Sequence, residues 1–221
     1  MKRFILTGLA ALVAAGFLFG AHPAPAQEAS LQVIPGTSGF DAMAPSIREA
    51  EKYLNSLSTA KARFLLTAAD GSQQIGTFYL NRPGRLRFEY DPPAKDFIVA
   101  DGILIYFYDA QMKEQSNAPI GQTLADFLLR STIKLSDDVK IERVMRGGDL
   151  LQITLVQADD PGTGSLTLGF TENPMALKKW RVVDAQGQVV EVELFQLQTG
   201  LKLDPDLFVY HDPNPKKRFN D

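Results

Sequence analysis

The sequence predicts a mainly β protein. It should be an unclosed antiparallel β-barrel of about eleven strands, with two or three α-helices as a lid over a hydrophobic cavity. Three observations carry this. Several segments alternate strictly between apolar and polar residues, so one face is buried and the other wet, the mark of an antiparallel sheet. Short turns join them into a meander, and so many strands on one sheet should curl. Only two amphipathic helical segments are present, too few to layer a sheet but enough to cover an open mouth.

The chain has 221 residues. Lys2 and Arg3 precede the apolar run Phe4 to Gly20, and Ala24-Pro25-Ala26 supplies an A-x-A cleavage pattern. Residues 1–26 therefore read as a secretory signal peptide cut before Gln27. The alternative, an N-terminal membrane anchor, is disfavoured because the run is short, rich in glycine and followed by that small-residue site. No later stretch is long and apolar enough to span a bilayer, so no stable membrane insertion is expected, and a bacterial periplasm suits the signal. Residues 27–40, which include "LQVIPGTSGF", show turn residues and no clear period and read as an arm or linker. Residues 41–221 read as one domain.

A helix is expected from Pro45 to Ser58. Proline suits a first helical position, and Ile47, Ala50, Leu54 and Leu57 form one apolar stripe. Strands then follow at Lys61 to Ala69 and Gln73 to Asn81, flanking the hairpin signal Asp70-Gly71. Next come Arg85 to Tyr90, Asp96 to Ala100 and Ile103 to Tyr108, with Asp101-Gly102 as a second hairpin signal, and a short strand at Gln111 to Gln115. Gly121 to Arg130 reads as a second helix with Leu124, Phe127 and Leu128 on one face. The remaining strands are Val139 to Met145, Leu150 to Gln157, Ser165 to Phe170, Leu177 to Asp184 and Gln188 to Leu197. "DPDLF", Asp204 to Phe208, reads as one tight turn.

Composition excludes several chemistries. The chain has no cysteine and two histidines, and only His211 follows the signal segment. That removes disulfides, thiol catalysis, most zinc sites and the usual Ser-His-Asp triad. No metal and no cofactor is expected. Asp137-Asp138 and Asp159-Asp160 sit in turn-like settings rather than facing each other across a cleft, as a glycosidase would require. The net charge is −3, and losing Lys2 and Arg3 makes it two units more negative. This argues against nucleic acid, which wants a basic face. Lys216-Lys217-Arg218 reads as a solvated end. An enzyme is not expected, and a monomer is.

What the sequence does offer is a large apolar inner surface. Phe78, Leu80, Leu86, Phe88 and Tyr90 should share it with Ile153, Leu155, Leu168, Phe170, Val192 and Leu194. "ILIYFY", Ile103 to Tyr108, is apolar on both faces, so one face needs a cover outside the barrel, such as a helix. Incomplete barrels of this strand number tend to enclose a cavity, although an ordinary filled core has the same composition. Arg82 is the exception on this surface. At strand period it shares the parity of Leu80, Leu86 and Phe88, so a permanent cation points to the apolar side; the alternative is that Pro83-Gly84 breaks the register and Arg82 snorkels to the rim. Arg85, Arg87 and Glu89 fall on the other parity, read as a solvated outer face.

"NRPGRLRFEYDPP" (Asn81 to Pro93), "FIVADG" (Phe97 to Gly102) and "YFYD" (Tyr106 to Asp109) resemble, in order and spacing, the corresponding run of the LolA family, the periplasmic carriers of outer-membrane lipoproteins. The likeness covers roughly a quarter of the chain. The later half fits by strand pattern, best at Val182 to Leu194. Phe88 and Tyr106 stand where tryptophan is common in the family, and residues 31–40 have no counterpart in it. The resemblance implies an unclosed barrel plugged by helices and no chemical step. It implies acylated lipoproteins as cargo, an inner-membrane LolCDE-type ABC transporter as donor and, where one exists, a LolB-type outer-membrane acceptor. It also implies that Arg82, before Pro83, donates to backbone carbonyls of the lid helices and latches the lid. Each buried methylene is worth roughly 0.8 kcal/mol, so acyl chains need such shelter to cross water. A periplasmic lipid or glycolipid carrier, or a lipoprotein-sensing module on the same fold, is the alternative.

Overall fold

A computed structural model describes residues 37–213, apart from 124 and 137. The signal segment, the start of the arm, Leu124, Asp137 and the basic tail lie outside the described residues. Helix α1 spans Thr37–Ser56. The strands are β1 Thr59–Thr67, β2 Gln73–Asn81, β3 Arg85–Tyr90, β4 Phe97–Asp101, β5 Leu104–Asp109 and β6 Glu114–Pro119. After helix α2, Ala125–Leu129, follow β7 Val139–Gly147, β8 Leu150–Gln157, β9 Gly164–Glu172, β10 Met175–Asp184 and β11 Val189–Thr199.

All eleven strands form one antiparallel sheet in the order β6-β5-β4-β3-β2-β1-β11-β10-β9-β8-β7. The first and last strands of the meander meet at its centre, where β1 pairs with β11. The two free edges are β6 and β7, so the barrel is not closed. The connection between those edges carries α2 and residues 130–138.

Hairpin chemistry sets the turns. Asp70 Oδ1 accepts the Ser72 amide, and Asp101 Oδ1 accepts the amides of Ile103 and Leu104. Gly71 and Gly102 supply the left-handed backbone at φ 80° and 112°. Gly76 is needed for a different reason: a Cβ there would lie 2.0 Å from the Glu89 carbonyl oxygen and 2.7 Å from the Phe64 ring.

Inward residues of both halves of the sheet form one apolar cluster, roofed by Ala50, Leu54 and Leu57. Three one-residue register shifts alter which side chains face in. They fall opposite or within Lys61/Arg63, Leu177/Lys179 and Ile141/Arg143. The shift on β11 lies at Gln196, φ 53°. Beyond it Leu197, not Gln196, packs against the cluster. A strictly alternating reading cannot see such a step.

Several sequence expectations need correction. α1 starts at Thr37, so the boundary placed at residue 40 falls inside a helix and Pro45 is internal to it. Leu57 lies one residue beyond that helix. The second helix is shorter: a 3-10 turn at Ile120–Gln122 comes first, then α2. Thr123 separates them, extended at φ −125°, with its hydroxyl donating to the Ile120 carbonyl. Such local hydroxyl bonds compete with helix continuation. The strand expected at Gln111 to Gln115 is β6, three residues further on. Asp109 Oδ1 accepts the amides of Gln111 and Met112 and holds those residues in a turn.

The outer face of β3 to β5 is covered in part: Arg85 is exposed and Glu89 reaches solvent, as expected, but Arg87 and the rings of β4 and β5 lie under a cover. That cover is the C-terminal segment, a 3-10 turn at Pro205–Phe208 with Tyr210 beyond, rather than a helix. Tyr210 stacks on Tyr106 at 4.7 Å, and Phe97 stacks on Tyr108 at 5.1 Å. Arg87 lies over the Phe97 ring and donates to the Leu207 carbonyl at 3.2 Å, leaving its side chain 17% exposed. Among the described residues no helix is long and apolar enough to cross a membrane.

Candidate functional site: the covered mouth of the barrel

β2 and β3 deliver the site. Pairing of Leu80 with Leu86 and of Phe78 with Phe88 sets four large side chains on the inner face. The loop between these strands, residues 82–84, has an odd number of residues, so inward parity survives the turn. Arg82 thus leaves the strand end beside Leu80 and reaches under α1. Gly84 is required at the tip, with φ 79° and the Gly102 backbone so close that a Cβ would lie 2.8 Å from it.

Arg82 meets both parts of the lid. Its Nη1 donates to the Leu54 carbonyl near the end of α1 at 2.5 Å, and its Nη2 reaches the Ser131 carbonyl at 3.4 Å. Among the described residues its Nε is buried without a partner. Burial pulls the guanidinium pKa down from its ordinary value. The same hairpin is held by its backbone. The Arg82 amide donates to the Ser58 carbonyl and the Gly84 amide to the Leu129 carbonyl, both at 2.8 Å.

The lid parts are also joined to each other. Asn55 of α1 donates to the Ile133 carbonyl at 2.8 Å and accepts the Ile133 amide at 2.9 Å. Glu51 accepts the Leu135 amide at 2.9 Å. Residues 131–135 are therefore fastened to α1 almost as a paired strand would be.

Beneath the lid is a narrow apolar cavity of about 40 Å³, room for no more than a few waters. Of the residues expected to line it, Phe78, Leu80, Leu86, Phe88 and Leu194 do, as do Leu54, Leu57 and Leu128 from the lid and Arg82 itself. Tyr90, Ile153, Leu155, Leu168, Phe170 and Val192 are buried in the same cluster without lining that space. Phe127 is buried, and Ile47 is half-buried against the cluster. Pro83 is exposed at the hairpin tip. In this closed arrangement most of the interior is filled core, because the lid residues occupy the room that an open half-barrel would leave.

Trp180, Val182, Leu166, Leu177 and Leu197 also line the cavity, and sequence reasoning did not place them there. For Trp180 a signal existed: a lone tryptophan alternating with Lys179 and Arg181. Its ring lies 5.7 Å from Phe78 and 6.2 Å from Phe88, edge to face. His211 is exposed in the C-terminal segment, 3.2 Å from the Asp206 carboxylate. Asp138 is bound to Arg130, which also holds Asp126.

Residues 55–211 match the family model described as "Outer membrane lipoprotein carrier protein LolA". The chain belongs to the LolA family. Curated relatives of the same name agree with that membership. The outer-membrane lipoprotein carrier protein of Methylococcus capsulatus is 28% identical over 180 residues, covering 77% of this chain and 86% of the relative. That of Nitrosospira multiformis is 29% identical over 184 residues, with the same coverage of each. Among solved structures, a LolA-superfamily protein of Nitrosomonas europaea aligns with a TM-score of 0.41 and 12% identity, over 76% of this chain and 97% of that one. The LolA-family span begins inside α1, at the residue that joins α1 to the second lid segment, and ends just past Tyr210.

Proposed function

We propose that this chain is a periplasmic carrier of outer-membrane lipoproteins. It would receive them from a LolCDE-type ABC transporter of the inner membrane, shield their acyl chains beneath α1 and α2, and pass them to an outer-membrane acceptor of the LolB type. The observation that carries the reading is the latch geometry. A single hairpin arginine bonds carbonyls of both lid parts over an apolar interior, yet remains short of partners. Family membership and the relatives' names support the same reading.

The physics is consistent with loading and release. Acyl chains gain transfer free energy by leaving water, roughly 0.8 kcal/mol per methylene. To enter a space of about 40 Å³ they must displace the lid and strip the Arg82 bonds. Charge-assisted hydrogen bonds are worth about 1.5–3 kcal/mol each, and that cost is returned when the lid closes after release. Arg82 thus sets the affinity below what apolar burial alone would give.

Mass spectrometry of material co-purifying from periplasm tests this. Acylated protein on the carrier is expected. Free phospholipid or glycolipid alone would overturn the lipoprotein reading in favour of a lipid carrier or sensor on the same fold.

A further inference from the structure

α1 is held in two places, and the partners differ at its two ends. Its C-terminal half is tied through Glu51 and Asn55 to residues 131–135, and it touches the wall only through the Leu54–Arg82 bond and the Tyr53 side chain against Phe170 and Leu177, contacts that part when this end opens. Its N-terminal half is tied to the wall. Arg146 on β7 makes a two-pronged pair with Glu172 at the end of β9, with Nε–Oε2 at 2.8 Å and Nη2–Oε1 at 2.9 Å. The same Nη2 donates to Ser46 Oγ at 2.7 Å, Nη1 reaches Met43 Sδ at 3.0 Å, and Ser46 Oγ donates to Glu172 Oε1 at 3.1 Å. Pro45 lies next to Ser46 inside the helix. With no N–H, it leaves the helix one hydrogen bond short at that turn.

The two holds resist motion differently. The Asn55 and Glu51 bonds join lid to lid, so they survive if α1 and residues 131–135 move together. The Arg146 cluster joins lid to wall, so it must either break or act as a fixed point. A lone exposed ion pair would be too weak to decide this. Forked Arg–carboxylate geometry with a hydroxyl bonded to both partners is the stronger arrangement.

We infer that Arg146, together with Glu172, is a positioning residue that anchors the lid. α1 pivots about Ser46, so its Leu54 end opens with residues 131–135 while its Ser46 end stays on β7 and β9. This rests on the carrier reading above and adds the direction in which the carrier opens. Cargo then enters beside the β2–β3 hairpin, not beneath the β7 edge.

Hydrogen exchange on the purified protein, with and without a synthetic triacylated lipopeptide, tests the inference. Lipopeptide uptake is measured on the same samples. In the loaded wild type, exchange should rise at residues 54–57 and 131–135 while residues 46–50 stay protected. Arg146→Leu should extend the rise to 46–50 by roughly threefold to fivefold. The charge exchange Arg146→Glu with Glu172→Arg should restore part of the protection, which a merely packing role would not predict. Equal exchange at 46–50 in wild type and Arg146→Leu overturns the anchor, as does opening of both ends together in the wild type. The unloaded samples decide independently of cargo, since Arg146→Leu should raise exchange at 46–50 there and leave 51–55 unchanged. Failure of the lipopeptide to bind would sink the carrier reading and the pivot, and a rise in the unloaded variant would then leave the anchor alone standing.

Discussion

The Nη1 atom of Arg82 lies 2.5 Å from the carbonyl oxygen of Leu54, while the Nε of the same guanidinium is buried with no partner among the described residues. The first fact ties the β2–β3 hairpin to α1, and the second leaves the same guanidinium under-satisfied. A buried donor left unpaired costs about 1–3 kcal/mol, so under the proposed latch the closed state would be held by a group that is itself under-satisfied.

Replacing Arg82 by leucine removes both effects. The variant should stay folded and still load acylated cargo, because the apolar interior is intact. Transfer to an acceptor should fall by about tenfold or more, the equivalent of losing one charge-assisted bond from the lid. Release kinetics of a labelled lipoprotein measure it, and wild-type transfer by the variant would remove the latch role.

Asn55→Ala should separate the two lid segments. It leaves the Ile133 amide and carbonyl without their partner, for a loss of about 1–3 kcal/mol. Denaturant unfolding reads the stability, and faster amide exchange at residues 131–135 should accompany it. A loss of stability without that local change would point to a role elsewhere in α1.

Trp180 is the only tryptophan and lines the cavity. A lipopeptide with a brominated acyl chain should therefore quench its fluorescence on loading, with no quenching by the unacylated peptide. Saturable uptake with unchanged emission would place the acyl chains elsewhere.

Gly76→Ala tests the wall itself. The added methyl would collide with the Glu89 carbonyl oxygen and the Phe64 ring, and overpacking of this kind costs about 1–3 kcal/mol. A thermal midpoint equal to wild type would show that β2 and β3 can separate without penalty.

The Glu172 carboxyl is held below its ordinary value chiefly by hydrogen bonding to Arg146. Its folded value is thus lower than its unfolded one, so its contribution is full above about pH 4.5 and is lost as pH falls through the lower folded value. Protection at residues 46–50 should hold from neutral to mildly acid pH and drop only below that point. In Glu172→Gln the drop should be absent, because protection is already reduced at neutral pH. Loss of protection in the wild type between pH 7 and 6 would contradict this assignment.

Much of this architecture was legible residue by residue. Alternation at Leu151, Ile153 and Leu155, and at Val190, Val192 and Leu194, fixes which faces are inward, since a pleated strand offers no other choice. Asp70-Gly71 and Asp101-Gly102 fix two hairpins, because the turn chemistry is local. The parity of Arg82 was legible too, since the three-residue loop preserves it. Leu197 was not, because the step at Gln196 reverses the alternation without a sequence signature. Nor was the burial of Arg87, which depends on a segment 120 residues later in the chain.

Sequence alone determined the class of fold, the inward faces of its strands and the cation on one of them, because strand period and turn preference act over a few residues. The tertiary structure decided what that cation touches, how little space the closed lid leaves, and that α1 is fastened at one end to β7 and β9 and at the other to a second lid segment and the Arg82 hairpin. Those outcomes join Arg82 to Leu54, Asn55 to Ile133, and Arg146 to Ser46 and Glu172. Each pair is distant in sequence and meets only after β1 has paired with β11 and the sheet has curled.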